Sequence, residues 1–195
     1  MKKQQTYGND SISALKGADR VRKRPAVIFG SDGLDGCEHA VFEILSNAID
    51  EAREGHGNLI IVTRYLDHSI EVTDFGRGCP VDWNEKEGRY NWELVFCEYK
   101  NNTGGDYEYS LGLNGLGACA TQYASRYFDA AIRRDGYLYT LHFERGELVG
   151  EMKKTPADQK KTGSSFHWLP DLDVFTDIDI PKEDYEDTLK RQAVV

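Results

Sequence analysis

Residues 38–53, EHAVFEILSNAIDEAR, restrict more than any other stretch how this chain can fold. On an α-helix, His39, Glu43, Asn47 and Asp50 fall within about 80° of one another and make one polar stripe. Val41, Phe42, Ile44, Leu45, Ala48, Ile49 and Ala52 cover most of the remaining circumference. The spacing predicts a mostly buried helix with a single polar seam. An imidazole, two carboxylates and an amide inside an apolar helix are costly unless each finds a partner. That partner is either protein or a bound polar ligand, and the helix by itself does not decide between them.

The composition sets this helix in an ordinary globular chain. At 195 residues there is room for one domain with a full core. Hydrophobic residues at 39% and charged residues at 29% exclude a disordered or fibrous polypeptide. A net charge of -9 argues against this segment gripping a nucleic-acid backbone by itself. The local exception is the basic run Arg20-Val21-Arg22-Lys23-Arg24, which on composition reads as a solvated loop. Cys37, Cys79, Cys97 and Cys119 form no CxxC pair and lie in or beside apolar runs. That is the pattern of reduced, partly buried thiols in a reducing compartment, and it points to the cytoplasm. No stretch approaches the ~18 apolar residues of a membrane-spanning helix, and residues 1–10 lack the apolar core of a signal peptide.

In chain order, residues 1–10 read as a polar arm and residues 11–17 as a short helix, with Ser11 as N-cap and Gly17 as stop. Residues 30–36 are a glycine-bearing connector into the central helix, which ends near Gly55. Residues 58–65 and 69–73 form a hairpin pattern whose second strand runs into Asp74-Phe75-Gly76-Arg77-Gly78-Cys79-Pro80. An acid at a strand end followed by alternate glycines lets the backbone pass close to a ligand while the carboxylate accepts hydrogen bonds; a plain glycine turn reads equally well. Residues 91–99 are a short amphipathic helix with Trp92, Val95, Phe96 and Tyr99 on its apolar side, and residues 100–109 a polar loop. Gly112, Gly115 and Gly117 then open a helical stretch over residues 118–125, an arrangement that can offer free N–H groups to phosphate. Its GxxGxG spacing is neither the dinucleotide fingerprint nor a P-loop. Residues 127–133, 137–143 and 147–153 make a three-strand meander, residues 162–169 another strand, and residues 181–192 a last helix. Helices early and strands late predict an α+β sandwich, one mainly antiparallel sheet covered by helices.

Three features therefore occur in a fixed order: a helix with Glu43 and Asn47, a strand ending in Asp74-x-Gly76-x-Gly78, and a glycine loop opening a helix. This order resembles the GHKL ATPases. The likeness narrows at Arg20-Val21-Arg22-Lys23-Arg24-Pro25, Glu43-x-x-x-Asn47-Ala48-Ile49-Asp50-Glu51, Asp74-x-Gly76-Arg77-Gly78-x-Pro80 and Lys161-Thr162-Gly163-Ser164. There it resembles the N-terminal ATPase domain of bacterial type IIA topoisomerase B subunits, of the gyrase or topoisomerase IV kind, from Tyr7 to about Leu189.

The resemblance implies a two-layer GHKL sandwich, a mainly antiparallel mixed sheet with helices on one face, preceded by an arm over residues 1–17. It implies ATP and Mg2+ as ligands. Glu43 falls where the family has the general base for the water that attacks the γ-phosphate, a role that needs a carboxylate within reach. His39 falls where that base is oriented, and Asn47 at the magnesium ligand. Asp74 matches the acceptor of the adenine amino group, with Ser164 in place of a threonine that holds the adjoining water. Asp50, Gly76, Arg77, Gly78 and Pro80 line the same pocket, with Arg77 and Pro80 at the rim touched by competitive inhibitors. Gly112, Leu113, Asn114, Gly115, Leu116 and Gly117 match the phosphate loop, and Tyr7 and Ile12 the arm that reaches a second subunit. The basic run becomes a structural signature of the family. Implied partners are a second B subunit, the A subunit and duplex DNA, with the piece itself monomeric before nucleotide binds.

The chain departs from the family at several positions. The lid segment that supplies a phosphate-contacting lysine is short, passing from Cys97-Glu98-Tyr99-Lys100 to Asn101-Asn102-Thr103-Gly104-Gly105. Asn114 replaces a usual histidine, and Thr140 falls where many members carry an arginine at the pocket mouth. The transducer domain, source of a lysine to the γ-phosphate, is not in this sequence, so the piece is expected to bind nucleotide and turn it over poorly. A GHKL module that binds without hydrolysing is the alternative reading. A histidine kinase lacks support because no phosphoacceptor helix precedes the motifs, and a Rossmann enzyme because the glycines do not follow the first strand.

Overall fold

The computed structural model describes residue 15, residues 17–98 and residues 117–193. Tyr7, Ile12, the helix expected before Gly17, Tyr99, the loop over residues 100–109 and Gly112 to Leu116 of the glycine loop lie outside them.

Six helices and nine strands follow in order among the described residues. Helices α1 (Asp19–Arg22) and α2 (Pro25–Phe29) come first, then the long α3 (Leu34–Arg53). Strands β1 (Ile60–Arg64) and β2 (Ile70–Asp74) form the expected hairpin. A small ribbon, β3 (Trp83–Asn84) with β4 (Arg89–Tyr90), leads to α4 (Asn91–Cys97) and α5 (Gly117–Tyr123). Then come β5 (Ser125–Arg134), β6 (Tyr137–Glu144), β7 (Glu147–Leu148), β8 (Lys153–Pro156), β9 (Gly163–Pro170) and α6 (Lys182–Ala193).

The main sheet has the order β1-β2-β9-β5-β6-β7, with β8 also on β6. Every ladder among the described residues is antiparallel. The fold is thus the α+β sandwich with a mainly antiparallel sheet that the sequence leads one to expect. Strand β9 does not extend the meander but crosses over to lie between β2 and β5, and so carries Ser164 to the strand end at Asp74. The third strand of the meander is interrupted: β7 and β8 pair with different parts of β6, either side of Gly150, whose φ is +80°. A left-handed φ suits glycine and breaks a ladder.

Alternation along the central strands puts Phe128, Ala130 and Ile132 of β5, Phe166 and Trp168 of β9 and Phe143 of β6 on one buried face. Phe96 of α4 packs edge-on and tilted against Phe128, Phe143 and Phe166, with ring centroids 5.8–5.9 Å apart. Aromatic clusters of this kind supply a large share of the burial that holds a sheet to its helices. The opposite sheet face is polar, with Glu71, His167, Asp129 and His142 in successive strands.

Helix α3 begins earlier than expected, at Leu34, so the connector is confined to residues 30–33. Helix α2 is not evident from periodicity; Pro25 at its first turn presets φ, and Gly30 ends it in a left-handed conformation at φ +80°. The basic run is structural, as the family likeness implies. Arg22 donates to Asp171 at 2.6 Å and to the carbonyls of Tyr123 and Ser125 at 3.0 and 3.4 Å. Asp171 is 4% exposed, so a largely desolvated pair ties α1 to the turn after β9, while the Tyr123 carbonyl ties it to the end of α5.

Candidate nucleotide site

The polar seam of α3 divides into two ends. Toward the N-terminal end, His39 Nδ1 lies 3.1 Å from the Phe29 carbonyl and Nε2 lies 3.0 Å from Glu43 Oε1. A carbonyl only accepts, so the ring's Nδ1 side faces Phe29 as donor and its Nε2 side faces the Glu43 carboxyl. The ring, held at both nitrogens, fixes the Glu43 carboxyl in one orientation. Gly117 starts α5 directly against it: a Cβ there would sit 2.0 Å from Glu43 Oε2. Only glycine lets the start of α5 come this close. Thr121 of α5 bonds the Ala40 carbonyl at 2.9 Å and holds the two helices in register.

Asn47 and Asp50 follow on the same seam, both half-buried. Asn47 makes no side-chain hydrogen bond among the described residues, and Asp50 makes only a long contact of 3.9 Å to Arg53. Their oxygens remain available to a ligand.

At the C-terminal end of α3 the dominant group is Glu51, which the sequence places in a motif without assigning it a role. Glu51 accepts from the Arg77 backbone N–H at 3.0 Å and from its guanidinium at 3.1 and 2.6 Å. Glu54 adds a second carboxylate at 2.5 Å. The Arg77 hydrogen bonds hold the Glu51 carboxyl below the usual carboxylate range, and the same pair raises Arg77. Arg77 is at the site but is occupied by these acids. The spacing offers a signal, because Glu51 is i+4 from Asn47 and i+8 from Glu43.

Asp74 ends β2 and is 9% exposed. Its Oδ1 accepts from the Gly76 N–H at 2.9 Å and the Ser164 N–H at 3.3 Å. Burial nevertheless pushes its carboxyl above the ordinary aspartate value, with the two backbone donors opposing. Ser164 has a further duty: its Oγ accepts the Cys79 N–H at 3.0 Å and so anchors the far side of the glycine turn. Arg134 anchors it again, donating to the Gly78 carbonyl at 2.7 Å. The backbones are in van der Waals contact. A Cβ on Gly163 would lie 2.2 Å from the Asp74 carbonyl oxygen, and one on Gly78 would lie 2.5 Å from that of Arg133. Gly163, Cys79 and Arg134 take no site role from sequence, since contacts between β2, β5 and β9 are not encoded in local spacing. Pro80 follows half-buried, and Thr140 stands on β6 opposite Ala131.

The structure thus unites His39, Glu43 and Gly117 at one end, and Asp74, Gly76, Arg77, Gly78 and Ser164 at the other, with Asn47 and Asp50 between. The helix seam, the acid–glycine strand end and the glycine-opened helix are the three features by which the sequence resembles the GHKL ATPases.

No protein-family model matches the chain. Among curated relatives it is 36% identical to the DNA gyrase B subunit of Caulobacter vibrioides over an alignment 203 positions long, which covers 96% of this chain and 25% of that protein. It is 36% identical to the DNA topoisomerase 4 B subunit of Staphylococcus epidermidis, covering 90% of this chain and 27% of that protein. The chain therefore spans about a quarter of the length of these relatives. Among solved structures, the 43K ATPase domain of Thermus thermophilus gyrase B, in complex with an aminocoumarin, superposes with a TM-score of 0.78 at 30% identity, over 92% of this chain and 46% of that one. The topoisomerase IV ATP-binding domain of Francisella tularensis, bound to a small-molecule inhibitor, gives 0.79 at 30% identity, over 93% and 49%. Over nearly its whole length the chain is thus similar to the B subunits of bacterial gyrase and topoisomerase IV and to their ATPase domains.

Proposed function

We propose that this chain binds ATP with Mg2+ along the seam of α3, as the ATPase domain of a type II topoisomerase subunit acting in the cytoplasm. The observation that carries the reading is the Asp74 carboxyl, buried and aimed by the Gly76 and Ser164 N–H groups, at the opposite end of one helix seam from Glu43. Glu43 and Glu51, eight positions apart, are separated by about 12 Å along the helix axis, a span suited to a base, a sugar and a phosphate chain laid end to end.

Asp74 accepts from the adenine amino group, and Ser164 holds the water beside it. Asp50, Gly76, Arg77, Gly78 and Pro80 line that end, where competitive inhibitors of the family would also bind. Gly112 to Gly117 receive the phosphates. Asn47, an uncharged oxygen donor with its side chain available, would help hold Mg2+, which supplies charge neutralisation at the phosphates. Glu43 takes the proton of the attacking water, and His39 fixes the orientation in which it does so. Tyr7 and Ile12 belong to an arm that meets a second subunit. Dimer closure and DNA strand passage, with the A subunit, are proposed for a whole subunit of the relatives' length.

Glu43→Ala in such a full-length subunit tests this directly. Hydrolysis should fall by at least ~100-fold, the usual contribution of a general base, while a non-hydrolysable ATP analogue still binds. Unchanged turnover would instead make Glu43 structural and favour a module that binds without hydrolysing.

A further inference from the structure

The face of α3 turned toward α6 carries a feature that nucleotide binding leaves unused. A cavity of about 560 Å³ lies between the two helices, within the roughly 300–1,000 Å³ range of small-molecule pockets. Val41, Phe42 and Leu45 of α3, Val62 of β1 and Ile180 give it an apolar wall. The spacing places Phe42 on the apolar side of α3, yet it is 37% exposed, a large ring left open on a helix whose other apolar side chains are buried or half-buried. Asp35, Glu38 and Asp184 line the same space. None of the three has a cationic partner among the ion pairs of the described residues. Arg191 also borders the cavity, so acids outnumber fixed cations there. Glu38 and Asp184 also bound a second, adjoining cavity of about 310 Å³, so the pair stands where the two spaces meet.

We propose that the α3–α6 cavity is a binding site for an amphipathic organic cation, an ammonium on an apolar body. The ammonium meets Glu38 and Asp184, and the apolar body lies on Phe42 and Leu45. Glu38 and Asp184 hydrogen-bond each other across the helices, and a cation placed between them would relieve their like-charge repulsion. Burial and the neighbouring Asp184 already push the Glu38 carboxyl upward, the cost that a bound ammonium would remove. His39 lines the cavity as well, and its ring holds Glu43 at 3.0 Å. Occupancy therefore bears on the orientation of Glu43, a regulatory consequence that rests on the function proposed above, whereas the binding itself does not.

The probe is 4-phenylbutylamine, titrated by calorimetry into the chain, with 4-phenylbutanol as its neutral counterpart. The amine should bind at one site and the alcohol far more weakly. Glu38→Gln with Asp184→Asn should weaken the amine at least tenfold, and Phe42→Ala should weaken it without touching the acids. A saturating non-hydrolysable ATP analogue should not displace it. The acid substitutions remove repulsion, so thermal unfolding should show a folded protein. Equal binding of amine and alcohol, unchanged binding to the double variant, or displacement by the nucleotide analogue would each overturn the assignment. Failure of Glu43→Ala to affect turnover would leave the binding result standing and remove only its regulatory reading.

Discussion

Asp74 and Glu51 approach the same glycine from opposite sides and are built in opposite ways. A Cβ on Gly76 would meet Glu51 Oε2 at 2.9 Å and Asp74 Oδ1 at 3.1 Å. Glu51 stands on a helix at the edge of solvent and is held by a guanidinium, which lowers its carboxyl. Asp74 ends a central strand, has no cationic partner among the described residues but accepts from the Gly76 and Ser164 N–H groups and the Ser164 side chain, and is raised by burial. A structural acid is satisfied within the protein, whereas a binding acid is left with part of its need unmet. The comparison separates the group that holds the turn in place from the group proposed to receive a ligand.

The two acids contribute to stability with opposite signs. Glu51, lowered in the fold, stabilises fully above the ordinary glutamate value of 4.5 and loses that contribution as pH falls through its folded value. Asp74, raised in the fold, carries a penalty when ionised that is complete above its folded value and gone below the ordinary aspartate value of 3.8.

The largest break in this comparison should come from Gly163→Ala, which strikes the Asp74 side and spares the ion pair. With φ at +137° and the new Cβ 2.2 Å from the Asp74 carbonyl, unfolding in urea should show a loss of roughly 3 kcal/mol. Ser164→Ala removes the acceptor of the Cys79 N–H; chemical denaturation should register about 1 kcal/mol, together with weaker nucleotide binding. Asp74→Asn takes away a buried charge, so stability at neutral pH should hold or rise, and its acid-side loss should steepen because the opposing Asp74 contribution is gone while those of Glu51 and the other lowered carboxyls remain. A parallel fall of the wild-type and variant pH profiles would show that Asp74 is not penalised by burial. Arg77→Ala gives the subtlest result. Its destabilisation should be visible at neutral pH and shrink as pH falls below 4.5 and through the lowered Glu51 value, where Glu51 loses its charge even without the substitution.

Much of this arrangement is legible in the chain. The seam of α3 follows from residue spacing alone, and Asp74 with its glycines from an acid at the end of a β-branched run. The order of the three motifs identifies the fold class before any coordinate. What escapes is what lies between distant segments. The bond from Arg77 to Glu51 spans 26 positions and that from Ser164 to Cys79 spans 85, so no local period reports either. The crossing of β9 to the side of β2 is likewise a matter of sheet order, which alternation along one strand does not carry. Helix α2 is a single apolar turn and a half, too short for a periodic signal. The opening beside Phe42 depends on how α6 docks, and the 3.6-residue period ranks that ring with the buried face.

The central claim is that Asp74 is the adenine acceptor at one end of a nucleotide site along α3. Calorimetric titration of adenylyl imidodiphosphate with magnesium into this chain and into Asp74→Asn tests it most directly. The account predicts that the wild type binds and that the variant loses about 2 kcal/mol, roughly 30-fold in affinity, the order expected for a hydrogen bond to a charged group. Equal affinity in the two proteins would contradict it.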